Sequence, residues 1–306
     1  MKVNLHFKLR KIQVNRIDTF AGHKGPLYSM ALNKAKNILY TAGSDGFIVE
    51  WNLLKPDLGK VIARTEHSIY SMYLDEDKEE LFLAQNLKGI LKINLKDFST
   101  DFLIDFTNFW IYDFIKIGED FWFVHQDGLV SVFSIKENAI IKKLKIDHHR
   151  IRKIANFKDK IFLGNSQGEL NILSLEGKLL KSLPIHKSTI FDFAMVDDCI
   201  YTVGKDARIQ KFIMNDNLEL ELIKSVVGHI YSIHSLSFHP NFDLFATASM
   251  DKTIKIWDKD LNLLKVIDLA RHGGHKNSVN KLIWSDLNNQ LFSISDDKMI
   301  SIWKID

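Results

Sequence analysis

The sequence predicts an all-β fold, a seven-bladed β-propeller of four-stranded antiparallel sheets, and three observations predict it. One string is written three times: LYTAGSDGFIVEW at 39–51, FATASMDKTIKIWD at 245–258 and LFSISDDKMISIW at 291–303. Each places a small hydroxyl residue four before an Asp and a Trp six after it. Weaker copies fall between them, so that turns recur near Asp45, Lys88, Asp127, Gln167, Asp206, Asp251 and Asp297, 39 to 46 residues apart. Inside each unit the apolar runs are short, alternating or continuous, and broken by Asp, Asn, Gly and Lys turns, with no sustained helical period.

The elements follow in chain order. IQVNRIDTF (12–20) reads as a strand ahead of the first unit. The last unit ends at Asp306, just after its third strand, so 12–20 is expected to supply the fourth strand of the final blade and close the ring. Residues 1–9 are expected to add a strand or cover that blade. Each unit opens on an anchor: His23, His67, Asn108, His149, His186, His229 and His275. An apolar residue follows each anchor (Leu27, Ile69, Ile111, Ile151, Ile190, Ile233, Val279). Another comes three later (Met30, Met72, Phe114, Ile154, Phe193, Leu236, Leu282). Asp45-Gly46, Lys88-Gly89, Asp127-Gly128 and Gln167-Gly168 read as hairpin turns, where Gly takes φ > 0 without a Cβ clash. Six after the turns stand Trp51, Asn94, Phe133, Leu173, Phe212, Trp257 and Trp303, all but Asn94 large and apolar. Outer strands carry lysines, as in IIKKLKI (140–146), which discourages edge pairing. With only 15 Gly and 4 Pro, linkers are scarce, and one domain over 1–306 is expected.

These anchors resemble the WD-repeat (β-transducin-like) seven-bladed propeller family over roughly residues 12–306, most strongly in the units ending at Trp51, Trp257 and Trp303. The resemblance implies a structural network in which the anchor His joins the turn Asp to a strand hydroxyl, which reaches the Trp. Carried over, the sets are His23–Thr41–Asp45–Trp51, His229–Thr247–Asp251–Trp257 and His275–Ser293–Asp297–Trp303, with His186–Thr202–Asp206 ending in Phe212. A buried carboxylate is costly unless paired or hydrogen-bonded, and a chain of donors satisfies it. Because His, Asp and Ser/Thr recur in four units, they read as structure rather than as a nucleophilic triad. Ala84, Phe123 and Leu163 take the hydroxyl position in units two to four, so apolar packing is expected to hold those units, with Phe114 and Phe123 as packers and Asp127 exposed at its turn.

Composition bounds the function. Hydrophobic residues are 46% and charged residues 26%, the net charge is +3, and there is one cysteine, Cys199. That is an ordinary globular balance with no intrachain disulfide and no strong basic bias. The start of the chain lacks the continuous apolar run of a signal peptide, and no stretch reaches bilayer length, so a cytoplasmic protein with no membrane contact is expected. No metal signature, phosphate loop or nucleophile elbow occurs; a non-catalytic protein without cofactor or metal is expected.

In the WD-repeat family, partners sit on the top face, at positions flanking the first apolar residue of the inner strand or just before the turn Asp. Carried over, these give Tyr28, Tyr70, Trp110, Tyr112, Arg150, Arg152, Phe191, His234 and Met250 as candidate partner-binding residues. Aromatic side chains beside arginines suit an interface hot spot. The expectation is a protein–protein scaffold or adaptor, monomeric by itself, that holds proteins or peptides on this face. The basic run KKLKIDHHRIRK (142–153) supplies the alternative, an RNA- or ribosome-associated propeller, and a propeller enzyme ranks third.

Overall fold

Each unit folds into a four-stranded antiparallel meander because its apolar runs are strand-length and its turns are short and polar. The computed structural model describes residues 12–55, 59–105 and 109–306. Residues 1–9 and the anchor Asn108 lie outside the described residues. The seven inner strands are Leu27–Asn33, Ile69–Asp75, Ile111–Ile117, Ile151–Phe157, Ile190–Val196, Ile233–Phe238 and Val279–Trp284. Each touches the next, and the seventh touches the first, so the sheets stand radially around a central channel. The outer edge strand of blades one to six is the fourth strand of the same unit. In blade seven it is Val14–Phe20, which pairs antiparallel with Ile300–Ile305, from Val14 opposite Ile305 to Phe20 opposite Ile300. Gln13 and Asp306 exchange backbone hydrogen bonds beyond the ladder. The two ends of the chain thus latch the ring.

The core lies between blades rather than inside one layer. Seven hydrophobic clusters fill the seven interfaces; Phe20, Leu27, Met30 and Trp51 of the closing strand and blade one, for example, pack on Phe292, Ile294 and Ile302 of blade seven. A fully buried large apolar side chain contributes roughly 1.5–3 kcal/mol, so the interfaces dominate the stability of the ring.

The ladder corrects one register. Blade two pairs Ile69 with Gln85 and Leu81 with Ile93, where blade one pairs Leu27 with Gly43 and Leu39 with Trp51. Leu87, Leu83 and Ile93 therefore fill the slots expected for Lys88, Ala84 and Asn94. The cause is the turn. Gly46 follows Asp45 with φ +71, but in blade two the left-handed residue is Leu87 (φ 60), and Gly89 already begins the next strand. The one polar outlier at the Trp position disappears, because Ile93 is fully buried.

Candidate functional site at the channel mouth

The turn Asp residues, the anchors and the starts of the inner strands share one end of the ring, called here the top. In blade one, Ser44 N–H, just before the turn Asp, donates to Pro26 O, just before the inner strand, at 2.8 Å. The same bond recurs from Ser166 to Arg150, Lys205 to Thr189, Met250 to Ser232 and Asp296 to Ser278.

Four turns are fixed by buried networks. In blade one, His23 Nδ1 lies 3.0 Å from Asp45 Oδ2, His23 Nε2 lies 2.8 Å from Thr41 Oγ1, and Trp51 Nε1 donates to the same hydroxyl at 2.8 Å. Blade six repeats this with His229, Asp251, Thr247 and Trp257 at 2.8 Å throughout, and blade seven with His275, Asp297, Ser293 and Trp303. In blade five His186 joins Asp206 (3.0 Å) and Thr202 (2.8 Å), while Phe212 has no group to donate. The direction of the chain is forced. The Trp N–H donates to the hydroxyl, the hydroxyl donates to Nε2, and Nδ1–H donates to the carboxylate. A neutral imidazole completes it. Burial lowers His23 and His229 below the usual histidine range despite their carboxylate partners. Burial alone would raise the turn carboxyls. For Asp45, the Lys24 backbone N–H and the His23 ring outweigh it; for Asp251, the His229 ring does, and both carboxyls sit below the ordinary range.

The expected apolar replacement in blades two to four is only part of the picture. Phe82, Phe114, Phe121 and Phe123 do fill the interface between blades two and three. Yet blade three also carries a buried His125 Nε2 to Ser131 Oγ contact of 3.0 Å. In blade four Asp147 accepts from His149 Nδ1 (2.9 Å) and from Asn165 Nδ2 (2.7 Å), which also donates to Glu169 (2.7 Å). His149 thus bonds a residue two away rather than its turn. Asp147, His149 and Glu169 offer ligand atoms within 4.8 Å of one another, but the Asn165 amide already lies between the two carboxylates. Asp127 is half-exposed near Lys145.

The partner-binding candidates fall into one arrangement that the sequence did not disclose. Every inner strand breaks its ladder at the same place: between Leu27 and Ser29, Ile69 and Ser71, Ile111 and Asp113, Ile151 and Lys153, Ile190 and Asp192, Ile233 and Ser235, and Val279 and Lys281. The skipped residues are Tyr28, Tyr70, Tyr112, Arg152, Phe191, His234 and Asn280. A bulge re-aims its extra side chain, and here all seven gather at the channel mouth. Tyr28 stacks on Tyr70 (4.8 Å), and Tyr70 meets Trp110 (6.5 Å) and Tyr112 (6.2 Å). Arg152 lies 4.0 Å over Tyr112 and 5.4 Å from Phe191, which meets His234 edge-on at 5.2 Å. His234 Nδ1 is 3.3 Å from Ser278 Oγ, Ser278 bonds Asn280, and Asn280 Nδ2 donates to Leu27 O at 2.8 Å. The loop of contacts is closed. Burial raises the Tyr28 and Tyr70 phenols, for Tyr70 against the pull of Arg152. Trp110 is 39% exposed, Arg150 is exposed, and Met250 lies on the blade-six turn, exposed, its N–H bonded to Ser232 O.

One residue deeper is a layer that sequence reasoning missed: Ser29, Ser71, Asp113, Lys153, Asp192, Ser235 and Lys281. Lys153 bridges Asp113 (3.2 Å) and Asp192 (3.4 Å), tying blades three, four and five. Ser71 Oγ donates to Asp113 at 2.7 Å and Ser235 Oγ to Asp192 at 3.2 Å, adding blades two and six. Burial would lower the Lys153 ammonium, but the two carboxylates outweigh it and hold it above the usual range. Lys281 is pushed down, first by Lys153 and then by burial. The signal was in the sequence. Apolar residues repeat at a spacing of three along each inner strand, and only an extra residue lets two such positions face one side.

The two faces differ in charge pairing. On the bottom, lysines meet acids of neighbouring blades: Lys34–Asp286 (2.9 Å), Lys78–Glu119 (3.2 Å), Lys158–Asp198 (3.6 Å) and Lys259–Asp243 within blade six (2.8 Å). On the top, the ammonium groups of Lys24, Lys187, Lys205, Lys252, Lys276 and Lys298 are exposed and meet no carboxylate among the described residues. The basic run 142–153 forms no single patch. Lys142, Lys143 and Lys145 lie on an outer edge strand, Arg152 in the mouth ring and Lys153 inside the channel.

Comparisons agree with this architecture. Residues 14–52, 220–258 and 267–304 match the family described as WD domain, G-beta repeat. Each matched segment runs from the outer strand of one blade through the third strand of the next. A probable cytosolic iron-sulfur protein assembly protein 1 from Candida glabrata is 32% identical over 139 residues, covering 42% of this chain and 41% of that protein. Actin-interacting protein 1 of Drosophila melanogaster is 21% identical over 315 residues, covering 93% of this chain and 47% of that protein. The chain spans about two fifths to one half of the length of these curated relatives. Among solved structures, the WD40 β-propeller domain of Doa1 superposes with a TM-score of 0.82 at 17% identity, covering 95% of this chain and 97% of that one. The Myceliophteria thermophila Cps50 (Swd1) propeller domain gives 0.81 at 16%, covering 96% and 100%. Three segments of this chain thus match the WD domain, G-beta repeat, and the whole folds as a closed ring of seven four-stranded sheets, a seven-bladed β-propeller.

Proposed function

We propose that the protein is a non-catalytic scaffold that binds a protein or peptide partner at the channel mouth, through Tyr28, Tyr70, Trp110, Tyr112, Arg150, Arg152 and Phe191. The observation that carries this reading is the continuous aromatic arc from Tyr28 to Tyr112, capped by the Arg152 guanidinium and held on four bulged strands. Half-buried aromatic rings on a rigid frame lose little freedom on binding, and Tyr, Trp and Arg are the side chains that most often dominate interfaces. Relatives named for iron-sulfur protein assembly and for interaction with actin are consistent with a scaffold role, and the first name also supports a cytosolic location. No described helix is long and apolar enough to cross a membrane. The splitting of the basic run over three parts of the ring weighs against the RNA reading. Affinity purification of wild type against Trp110→Ala/Arg152→Ala tests the proposal: partners bound by the wild type should be lost from the double variant. Recovery of the same partners at the same yield would overturn it.

A further inference from the structure

A second surface lies on the top rim between blades five and six. The strap that joins them exposes Val227 (68%), Ile230 (80%) and Tyr231 (58%), and the adjoining turn exposes Met250 (52%). Three residues before the inner strand, the position of Ile230, blades one, two, four, five and seven expose Lys24, Glu66, His148, Lys187 and Lys276; only here is the residue aliphatic. The strap is not loose. Gly228 and His229 N–H donate to Ala207 O, Ile230 N–H donates to Asp251 Oδ2 (3.1 Å), and Ser249 Oγ donates to the carbonyls of Tyr231 (3.2 Å) and Ser232 (2.9 Å). Lys255 Nζ holds Gly228 O from below at 2.6 Å. The apolar side chains are therefore presented in a fixed arrangement, at a cost in solvent exposure that folding does not repay.

We infer that this rim docks an acidic peptide segment that carries a large apolar side chain. The inference goes beyond the mouth ring and rests on the same reading of the top as the working face. Lys205 and Lys252 stand on the two turns that border the strap, and neither has a carboxylate partner among the described residues. Free cations around an apolar centre complement Asp or Glu around Leu, Phe or Trp. RNA fits less well, because Val227, Ile230 and Met250 are aliphatic and Tyr231 is the single ring the patch offers for base stacking. A second copy of this chain fits poorly too. Lysines of the opposite face already engage acids such as Asp286, Glu119, Asp198 and Asp243.

Selection of a displayed random peptide library on the wild-type protein tests the inference, with the selected peptides then measured by fluorescence anisotropy. Enrichment of Asp and Glu around one large apolar residue is expected. Ile230→Ser/Tyr231→Ser, both surface changes, should weaken those peptides about tenfold or more. Lys205→Glu/Lys252→Glu should weaken them by a similar factor and flatten the salt dependence. Trp110→Ala/Arg152→Ala should leave them unchanged, which separates this site from the mouth ring. No enrichment, or peptides that respond to the Trp110/Arg152 pair and not to the Ile230/Tyr231 pair, would overturn the inference. So would poly(U) RNA binding, or self-association in sedimentation, that is abolished by the same Ile230/Tyr231 change.

Discussion

Blades five, six, seven and one form one arc of the ring, and blades two, three and four form the other. The first arc pins each turn with a directed chain of hydrogen bonds from His to Asp and to a strand hydroxyl. The second arc keeps the same strands and the same bulges without that chain, and packs Phe82, Phe114, Phe121 and Phe123 or uses local contacts such as Asp147–Asn165. The difference teaches that the propeller geometry comes from interface burial and strand pairing. The polar network is an addition that stiffens individual turns. Where the hydroxyl is lost, as at Leu83, Phe123 and Leu163, a buried His and Asp would be left with unpaired groups; in blade two Thr65 and Leu87 stand in their slots, because the expected anchor His67 lies two rather than four residues before the inner strand. Most of the aromatic mouth arc belongs to the blades that lack the network, so the residues proposed for binding and those that pin the turns are largely separate.

The comparison can be broken most decisively at the anchors. His229→Ala leaves the Asp251 carboxylate and the Thr247 hydroxyl buried without their partner and should cost about 3 kcal/mol in equilibrium urea unfolding. His149→Ala, in the other arc, removes a partly exposed ring and should cost about 0.5 kcal/mol. Equal losses would mean that the two arcs are not held differently. A finer contrast lies within the first arc. Thr247→Val orphans both His229 Nε2 and Trp257 Nε1, whereas Thr202→Val orphans only His186 Nε2, so the blade-six change should cost more by about 1 kcal/mol.

The smallest expected effect is with pH. His23 and His229 titrate below their ordinary value when folded, so the unfolded chain binds the extra protons first. Stability is full above about pH 6.5 and falls as acid is added below it. His125, lowered by burial to about 4, adds to this window from the second arc. Asp45, Asp251 and Asp297 are also depressed in the fold, so a second loss should begin below about pH 4 as the unfolded carboxyls take up protons. Denaturation midpoints across this range should show both phases, and His229→Ala should shrink the first. A midpoint that rises on acidification through the first window would contradict neutral, buried imidazoles.

Much of this was legible in residue order. The repeat length, the closing strand and the partners of the four networks lie within one repeat or at the chain ends, where spacing alone brings them together. His23, Thr41, Asp45 and Trp51 are separated by 28 residues at most, and the same short string carries the last three in three blades. Blade two was misplaced by one because Gly89 marks a turn in sequence that Leu87 actually makes. The bulges left a trace, apolar residues three apart where a regular strand would place them two apart.

What the sequence determined by itself is the unit: strand, turn, strand, and the donors and acceptors that satisfy each other inside it. Only the tertiary structure decided how units meet. Lys153 reaches Asp113 and Asp192 across 40 and 39 residues of chain, Tyr28 stacks on Tyr70 across 42, and Lys34 finds Asp286 from opposite ends. Such pairs have no local signature, because their distance is fixed by the angle between neighbouring sheets and by the closure of the ring. The same closure brings Lys34, Lys78 and Lys158 to acids of neighbouring blades.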